Sequence, residues 1–288
     1  MANTIKTILL SYPQRLNGIS DTVRLDVECL LCHVLNVSKS YLYTWSEKQL
    51  TQAQLYQFNR LFDERLQGKP VAYLTGKQGF WNLELIVNEH TLIPRADTEV
   101  LIDAILNRFA NASDLTVLDL GTGSGAIALA LANSKPSWNV IAVDNCLKAL
   151  TIAKENAQRH GIDNVTFLCG SWYQPLANES FDIIVSNPPY IDKNDQALCD
   201  KVRQYEPNNA LIANNNGLAD IAHIITHGKC YLKPSGFMII EHGYQQAKDV
   251  AELFKQYSYT DVLHYYDLAH HKRATSANAE ILKTMIFR

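Results

Sequence analysis

The feature that most constrains this chain is the alternation of strand-like and helix-like segments after Asp97. Short apolar runs bounded by turn residues predict five buried strands, at 115–120, 139–144, 164–169, 181–186 and 236–241. Segments with helical periodicity lie among them, at 98–110, 125–134, 147–161, 218–232 and 245–257. Two further strands are predicted near 261–266 and 280–287. This order is typical of an α/β fold with a parallel, doubly wound sheet.

The segment before residue 77 has a different pattern, with helical periodicity and no convincing strand. Thr51 and Gln54 stand at capping-box spacing at the start of one predicted helix, and Gly68 ends it. The following segment alternates around a polar break at 88–90, which predicts a β-hairpin. We therefore predict three parts, a helical bundle at 1–76, a hairpin linker at 77–95 and the α/β domain at 96–288.

Composition and charge favour a soluble chain without an obvious charged partner. The net charge is only −3 over 288 residues, which does not indicate direct binding to nucleic acid. No run approaches ~18 apolar residues and the first residues lack a signal-peptide pattern, so we expect a cytoplasmic protein with no membrane partner. Cys29 and Cys32 lie in a predicted helix without a second C-x-x-C pair, so we expect no metal site.

A glycine-rich loop follows the first strand of the α/β domain, in the sequence D-L-G-T-G-S-G-A. Glycines let the backbone turn tightly and approach a ligand closely, and the helix that follows offers free N–H groups to an anionic group. The pattern also fits the dinucleotide fingerprint G-x-G-x-x-A, so it indicates a nucleotide-like cofactor without saying which one. The candidate cofactor-binding residues of this loop are Gly121, Thr122, Gly123, Ser124 and Gly125.

Two more candidates stand just after the next two predicted strands. Asp144 lies about twenty residues beyond the glycines, the spacing at which a carboxylate accepts hydrogen bonds from ribose hydroxyls. The alternative is a solvated aspartate that caps the next helix. Trp172 is placed to flank an adenine ring, although a lone tryptophan near a strand end is more often part of a core.

The fourth strand ends in the sequence N-P-P-Y, formed by Asn187, Pro188, Pro189 and Tyr190. Two prolines exclude further ladder pairing and fix the backbone. A planar nitrogen group can donate one hydrogen to the Asn187 oxygen and another to the Pro188 carbonyl, while Tyr190 packs on its flat face. This arrangement suits methyl transfer to a poor nucleophile that must be positioned by its own N–H groups. The alternative is a purely structural turn.

These motifs together resemble the release factor glutamine methyltransferases, the PrmC/HemK family. The resemblance covers residues 20 to 270 and rests on the glycine loop, the N-P-P-Y sequence and the segments Y-E-P-N-N-A-L (205–211), N-G-L-A-D-I (216–221) and E-H-G-Y-Q-Q (241–246). N-P-P-Y is shared with methyltransferases that act on adenine and guanine amines. Its combination with L-I-P-R-A-D-T-E upstream is specific to this family.

The resemblance implies a class I S-adenosylmethionine-dependent methyltransferase domain with seven strands, the last one antiparallel. It implies methylation of the side-chain amide of the glutamine in the G-G-Q motif of class I peptide chain release factors, with S-adenosylhomocysteine as product. The glycine loop, Asp144, Trp172 and Asn187 would contact the methyl donor. Asn187, Pro188 and Tyr190 would act on the substrate glutamine with Pro189, and the helical part at 1–76 would help to bind the release factor. We expect a monomer.

Two alternative functions are also compatible with parts of the sequence. A nucleic-acid amino methyltransferase would share the cofactor loop and N-P-P-Y, but the part after residue 77 is net acidic and has no aromatic-basic patch. A non-catalytic dinucleotide-binding module would explain G-x-G-x-x-A and leave N-P-P-Y unexplained.

Overall fold

The computed structural model describes residues 3–194 and 204–280. This part of the chain forms two compact units, residues 3–77 with 204–205 and residues 78–194 with 206–280. Within the same ranges, no helix combines the length and the apolar character that crossing a membrane requires.

The first unit is built from helices over residues 3–76, with a single antiparallel bridge between Thr4 and Gln49. A 3₁₀ turn at Pro13–Leu16 and five α-helices form it, α1 (Ile5–Ser11), α2 (Val23–Leu35), α3 (Lys39–Thr44), α4 (Gln52–Leu66) and α5 (Val71–Thr75). The predicted capping box is confirmed at the start of α4, where Thr51 and Gln54 bond each other's main-chain N–H groups. Its core holds the stacked rings of Phe58 and Phe62, which Tyr12 contacts edge-on.

A β-hairpin follows, made of β1 (Lys77–Phe80) and β2 (Leu83–Ile86). Its turn lies at Trp81, which takes a positive φ of 55°. The hairpin turn that we predicted at 88–90 is therefore wrong. The Asn88 carbonyl does form a turn by accepting the Thr91 N–H, but no strand begins directly after this turn. A tryptophan carries no turn signal, whereas an Asn-Glu-His sequence does, which explains the misplacement.

The second unit contains a seven-stranded sheet that confirms the predicted fold class. The strands are β3 (Thr116–Leu120), β4 (Asn139–Asp144), β5 (Val165–Cys169), β6 (Phe181–Ser186), β9 (Leu232–Glu241), β10 (Tyr259–Tyr266) and β11 (Lys272–Ala279). Their spatial order is β10-β11-β9-β6-β3-β4-β5. All neighbours are parallel except β11, which runs antiparallel to both β9 and β10. A separate two-stranded pairing joins β7 (Ile191–Asp192) to β8 (Ile212–Ala213).

Helices cover both faces of the sheet. Neighbouring residues of a strand point to opposite sides, so the apolar strands present apolar side chains on both faces that must be covered. Val117 and Ile183 pack in one core with α6 (Glu99–Arg108) and α7 (Ala126–Ser134). Leu118 and Ile184 pack in the other core with α9 (Ala219–Gly228) and α10 (Ala247–Gln256). The remaining helix, α8 (Leu147–His160), contributes Ala157 to the first core. This three-layer arrangement leaves the carboxyl ends of the parallel strands for a ligand.

The strand predicted near 280–287 lies almost entirely outside the described part of the chain, which ends at residue 280. The strand that lies antiparallel between β9 and β10 is β11 at 272–279, which we did not predict. The sequence of β11, K-R-A-T-S-A-N-A, has no large apolar residue, so its pattern does not resemble a buried strand. Thr275 and Ser276 are nevertheless fully buried. These two side chains are buried because β11 lies between two other strands, and their small size fits that position.

Candidate active site

Strand register places the ends of four strands side by side. Leu120 of β3 pairs with Val143 of β4 and with Ser186 of β6, and Ser186 pairs with Ile240 of β9. The next residue along each strand therefore lies at the same edge of the sheet, and these four residues are Gly121, Asp144, Asn187 and Glu241. The chain order reverses between β3 and β6, which is the position where open α/β sheets bind ligands.

The glycine loop is shaped by positive φ angles at Gly121 (76°) and Gly123 (56°), which other residues rarely adopt. The N–H groups of Gly121 and Thr122 both donate to the Val143 carbonyl, at 2.8 and 3.0 Å. The loop is thus held against β4, and α7 begins directly after it. At Gly121 and Gly123 the main chain of the loop faces the cavity directly, with no side chain in front of it.

Asp119 is a buried carboxylate below this loop that the sequence reasoning did not single out. One of its oxygens accepts hydrogen bonds from the Thr122 hydroxyl at 2.7 Å and from the Ala128 N–H at 3.2 Å. Burial raises the pKa of Asp119 to about 7, and the two hydrogen bonds oppose that rise. The signal available in the sequence was an acidic residue inside an otherwise apolar strand.

Asp144 stands at the cavity with both carboxylate oxygens already oriented. One oxygen accepts the Gly123 N–H at 2.8 Å and the other accepts the Cys146 N–H at 2.8 Å. Burial raises its pKa, while these two bonds lower it. Each oxygen keeps a lone pair after its single bond, so the carboxylate can accept further hydrogen bonds from a ligand.

Trp172 forms another wall of the same cavity. A Cβ placed on Gly121 would stand 3.5 Å from the Trp172 ring, so the indole lies directly over the start of the glycine loop. Asp220, at the start of α9, lines the same cavity, and burial raises the pKa of its carboxyl group while Trp172 lowers it. The backbone of Trp172 takes a positive φ of 48°. The indole is thereby held as a flat apolar surface beside Asp144.

An outer wall that we did not predict comes from two loops. His90 and Leu92 follow the hairpin, and Pro207, Asn209 and Ala210 belong to the Y-E-P-N-N-A-L segment.

The buried Glu206 joins these two loops. It accepts hydrogen bonds from the Arg95 guanidinium and, at 3.1 Å, from the Ile93 N–H. The segments L-I-P-R and Y-E-P-N therefore form one wall of the cavity together. This shared position explains why both segments are among the motifs on which the family resemblance rests.

The N-P-P-Y turn is fixed from several directions. The Asn187 side-chain nitrogen donates to the Thr98 hydroxyl at 3.1 Å. The Tyr190 hydroxyl donates to Glu241 at 3.1 Å, and burial strongly raises the pKa of this phenol, so it stays protonated. The Tyr190 carbonyl accepts a hydrogen bond from the Gln246 side chain at 2.9 Å. The backbone between Asn187 and Tyr190 therefore has one defined path.

Of the predicted site residues, six line the cavity together: Gly121, Gly123, Asp144, Trp172, Asn187 and Pro189. The other five are not part of this lining: Thr122, Ser124, Gly125, Pro188 and Tyr190. Thr122 and Ser124 are buried and support the loop from inside. The contacts of Thr98 and Glu241 with N-P-P-Y were missed, because each lies far from that sequence along the chain.

Comparison with known proteins agrees with this geometry. Residues 111–285 match the family described as a methyltransferase domain, and residues 8–76 match the PrmC N-terminal domain. A methyltransferase from Pyrococcus furiosus shares the fold, with a TM-score of 0.53 and 16% identity over 77% of this chain and 99% of that one. The fold and the edge with the glycine loop and N-P-P-Y thus define a Rossmann-like methyltransferase.

Sequence relatives identify the family within this class of methyltransferases. The release factor glutamine methyltransferase of Aliivibrio fischeri is 45% identical over 89% of this chain and 90% of its own length. That of Vibrio cholerae is 43% identical over 96% of both chains. The chain belongs to the release factor glutamine methyltransferase family, which confirms the predicted resemblance.

Proposed function

We propose that this chain transfers a methyl group from S-adenosylmethionine to the side-chain amide nitrogen (N5) of the glutamine in the G-G-Q motif of class I peptide chain release factors, and so modulates translation termination. The observation that carries the proposal is the orientation of Asn187. Its side-chain nitrogen is bound to Thr98, so its oxygen is left to accept an N–H from the substrate. The relatives named above are themselves release factor glutamine methyltransferases.

The cavity residues fit S-adenosylmethionine and its product S-adenosylhomocysteine. Asp144 has free lone pairs for ribose hydroxyls, Trp172 offers a flat surface to the adenine, and Gly121 and Gly123 leave the backbone accessible. When bound, S-adenosylmethionine supplies an electrophilic methyl group on a positively charged sulfur.

The protein's own contribution is to position a weak nucleophile. The nitrogen of a glutamine amide reacts poorly because its lone pair is delocalised into the carbonyl. In the proposed complex, the Asn187 oxygen accepts one amide N–H and the Pro188 carbonyl accepts the other, while Tyr190 packs against the amide plane. Pro188 and Pro189 restrict the backbone that carries these acceptors. Orientation of this kind supplies a large part of the rate in group-transfer reactions.

The domain roles belong to the same proposal. Residues 1–76 contribute to binding of the release factor, residues 77–95 form the linker, and residues 96–288 carry out methyl transfer in a cytoplasmic monomer. Substitutions on the surface of 1–76 are therefore expected to raise KM for an intact release factor. They should leave KM unchanged for a short peptide that contains Gly-Gly-Gln.

The direct test is methylation of a purified release factor. The chain is incubated with a recombinant class I release factor and methyl-labelled S-adenosylmethionine, and the label is located by peptide mass spectrometry. We expect one methyl group on the G-G-Q glutamine, and none when Asn187→Ala is used with its fold checked by circular dichroism.

Three results would contradict the proposal. The first is no mass gain on that glutamine, and the second is methyl incorporation into adenine or guanine of nucleic acid. The third is tighter binding of NAD than of S-adenosylhomocysteine in calorimetry, which would favour a dinucleotide-binding module.

A further inference from the structure

A buried chain of polar side chains lies directly behind the acceptor side of Asn187. Thr98 is 3% exposed and Glu241 is 1% exposed, so neither exchanges partners freely with water. The Asn187 nitrogen lies 3.1 Å from the Thr98 hydroxyl, and the Thr98 side chain lies close enough to Glu241 to lower the pKa of its carboxylate. The Tyr190 hydroxyl reaches the same carboxylate at 3.1 Å. Both ends of N-P-P-Y are therefore connected to a single buried acidic group.

The directions of these hydrogen bonds follow from the chemistry of a carboxylate. An ionised Glu241 only accepts hydrogen bonds, so the single proton of the Thr98 hydroxyl points to it. The Thr98 oxygen then has only lone pairs to offer, and it must accept from the Asn187 nitrogen. If the Asn187 amide were flipped, its oxygen would face the Thr98 oxygen without a proton between them. The carboxylate thus sets which end of the Asn187 amide faces the cavity.

We propose that Thr98 is a positioning residue, and that Glu241 acts through it to present the Asn187 oxygen to the substrate and thereby selects an amide acceptor over a carboxylate. This inference rests on the proposed function. A presented oxygen attracts the N–H groups of glutamine and repels the oxygens of glutamate. The motif L-I-P-R-A-D-T-E, which contains Thr98, gains a direct role at the site of methyl transfer.

The surroundings of Glu241 make its charge sensitive to pH. Burial raises the pKa of Glu241 to about 7, the Thr98 side chain, the hydrogen bond from Tyr190 and the positive charge of Arg273 lower it, and the negative charge of Asp97 raises it. Above this pH the carboxylate is ionised and the orientation of Asn187 is fixed. Below it, a protonated Glu241 can donate to Thr98 and the constraint on Asn187 is lost.

The test compares Thr98→Val, which keeps the shape of the side chain, with Thr98→Ser, which keeps the hydroxyl. With an intact release factor as substrate, T98V is expected to lower kcat by about tenfold, equivalent to ~1.4 kcal/mol. KM and the affinity for S-adenosylhomocysteine should stay within about twofold, since Thr98 does not line the cavity. T98S is expected to restore most of the lost rate.

A second variant, Glu241→Gln, keeps the test decisive if T98V folds poorly. Its neutral amide can donate to Thr98, so we expect a lower kcat at pH 8. We also expect it to lose the rise in kcat through pH 7 that the proposal predicts for the unsubstituted chain. Asp119, which titrates near the same pH, is unchanged in this variant.

The inference is overturned if T98V has the full kcat, or if E241Q keeps the original pH profile. It is also overturned if T98S is as impaired as T98V, because a structural role alone would then explain the loss. Failure of the proposed function looks different, since the unsubstituted chain itself would then transfer no methyl group to the release factor.

Discussion

The side chain of Asn156 hydrogen-bonds both main-chain groups of Ile86, as the backbone of a neighbouring strand would. Its oxygen accepts the Ile86 N–H at 2.7 Å, and its nitrogen donates to the Ile86 carbonyl at 3.0 Å. The same nitrogen donates to the carbonyl of Ser124 in the glycine loop at 3.0 Å. One fully buried amide on α8 therefore fixes the end of the hairpin to the glycine loop.

Replacing Asn156 by Ala is expected to destabilise the protein by about 3 kcal/mol. The substitution removes three hydrogen bonds and leaves partly buried main-chain groups of Ile86 and the buried carbonyl of Ser124 without these partners. Urea unfolding monitored by circular dichroism measures the effect. Asn107→Ala, at an exposed position of α6, serves as the control and should change the free energy of unfolding by less than about 0.5 kcal/mol.

Gly217 gives a second prediction, because it packs against the N-P-P-Y backbone. A Cβ at this position would stand 2.0 Å from the Tyr190 carbonyl oxygen, and the backbone φ is +80°. Gly217→Ala should therefore displace Tyr190, lower the rate of methyl transfer and cost ~3 kcal/mol or more of stability.

Gly161→Ala is the matched control for this prediction. Gly161 also has a positive φ, +64°, but nothing lies within 4 Å of its Cβ position. It should lose only about 1 kcal/mol and keep its activity. Equal losses in the two variants would show that backbone strain, and not the contact with Tyr190, determines the effect.

Glu206→Ala is expected to weaken binding of S-adenosylhomocysteine by roughly tenfold, since about 1.4 kcal/mol corresponds to that factor. The loss of its bonds to Arg95 and Ile93 releases both loops of the outer wall. Glu206→Gln keeps an acceptor for the Ile93 N–H but removes the ion pair, so its affinity should be intermediate. Calorimetric titration measures both, and an unchanged affinity in E206A would exclude a role for this wall in cofactor binding.

His242 predicts a pH dependence of stability. It is fully buried, its Nδ1–H donates to the Gly243 carbonyl, and its Nε2 lies 2.7 Å from the Thr275 hydroxyl. Burial lowers its pKa from 6.5 to about 4. The unfolded state therefore binds more protons between these values, and stability falls as the pH decreases from about 6.5 to 4, by on the order of 3 kcal/mol.

The measurement is the difference in free energy of unfolding between the unsubstituted chain and His242→Gln at several pH values. Asp119 and Glu241, whose raised pKa values act in the opposite direction, cancel in this difference. The advantage of the unsubstituted chain should shrink as the pH falls below 6.5. A difference that is constant between pH 7 and 4 would show that His242 is protonated in the folded state.

The sequence predicted the strand ends that line the cavity, because glycine loops and proline pairs have local causes. Gly121, Asp144 and Asn187 were found as residues that follow strands, and the structure places them in one row. Glu241 belongs to the same row, but only the register of β6 against β9 shows it. Register and side-chain pairing between distant segments are set by tertiary packing, which a single sequence pattern does not contain. Thr98 was missed for that reason.

The position of β11 has a consequence for the order in which the sheet assembles during protein synthesis. β10 is made before β11, yet among the described strands its sheet neighbour is β11 alone. Strands β3, β4, β5, β6 and β9 can pair as they leave the ribosome, whereas β10 must wait for a segment synthesised after it. Because Ala274 of β11 pairs with Glu241, the same late strand also lies beside the residue whose carboxylate binds Tyr190 of N-P-P-Y. A nascent chain that has not reached residue 279 therefore lacks the complete sheet edge that carries N-P-P-Y.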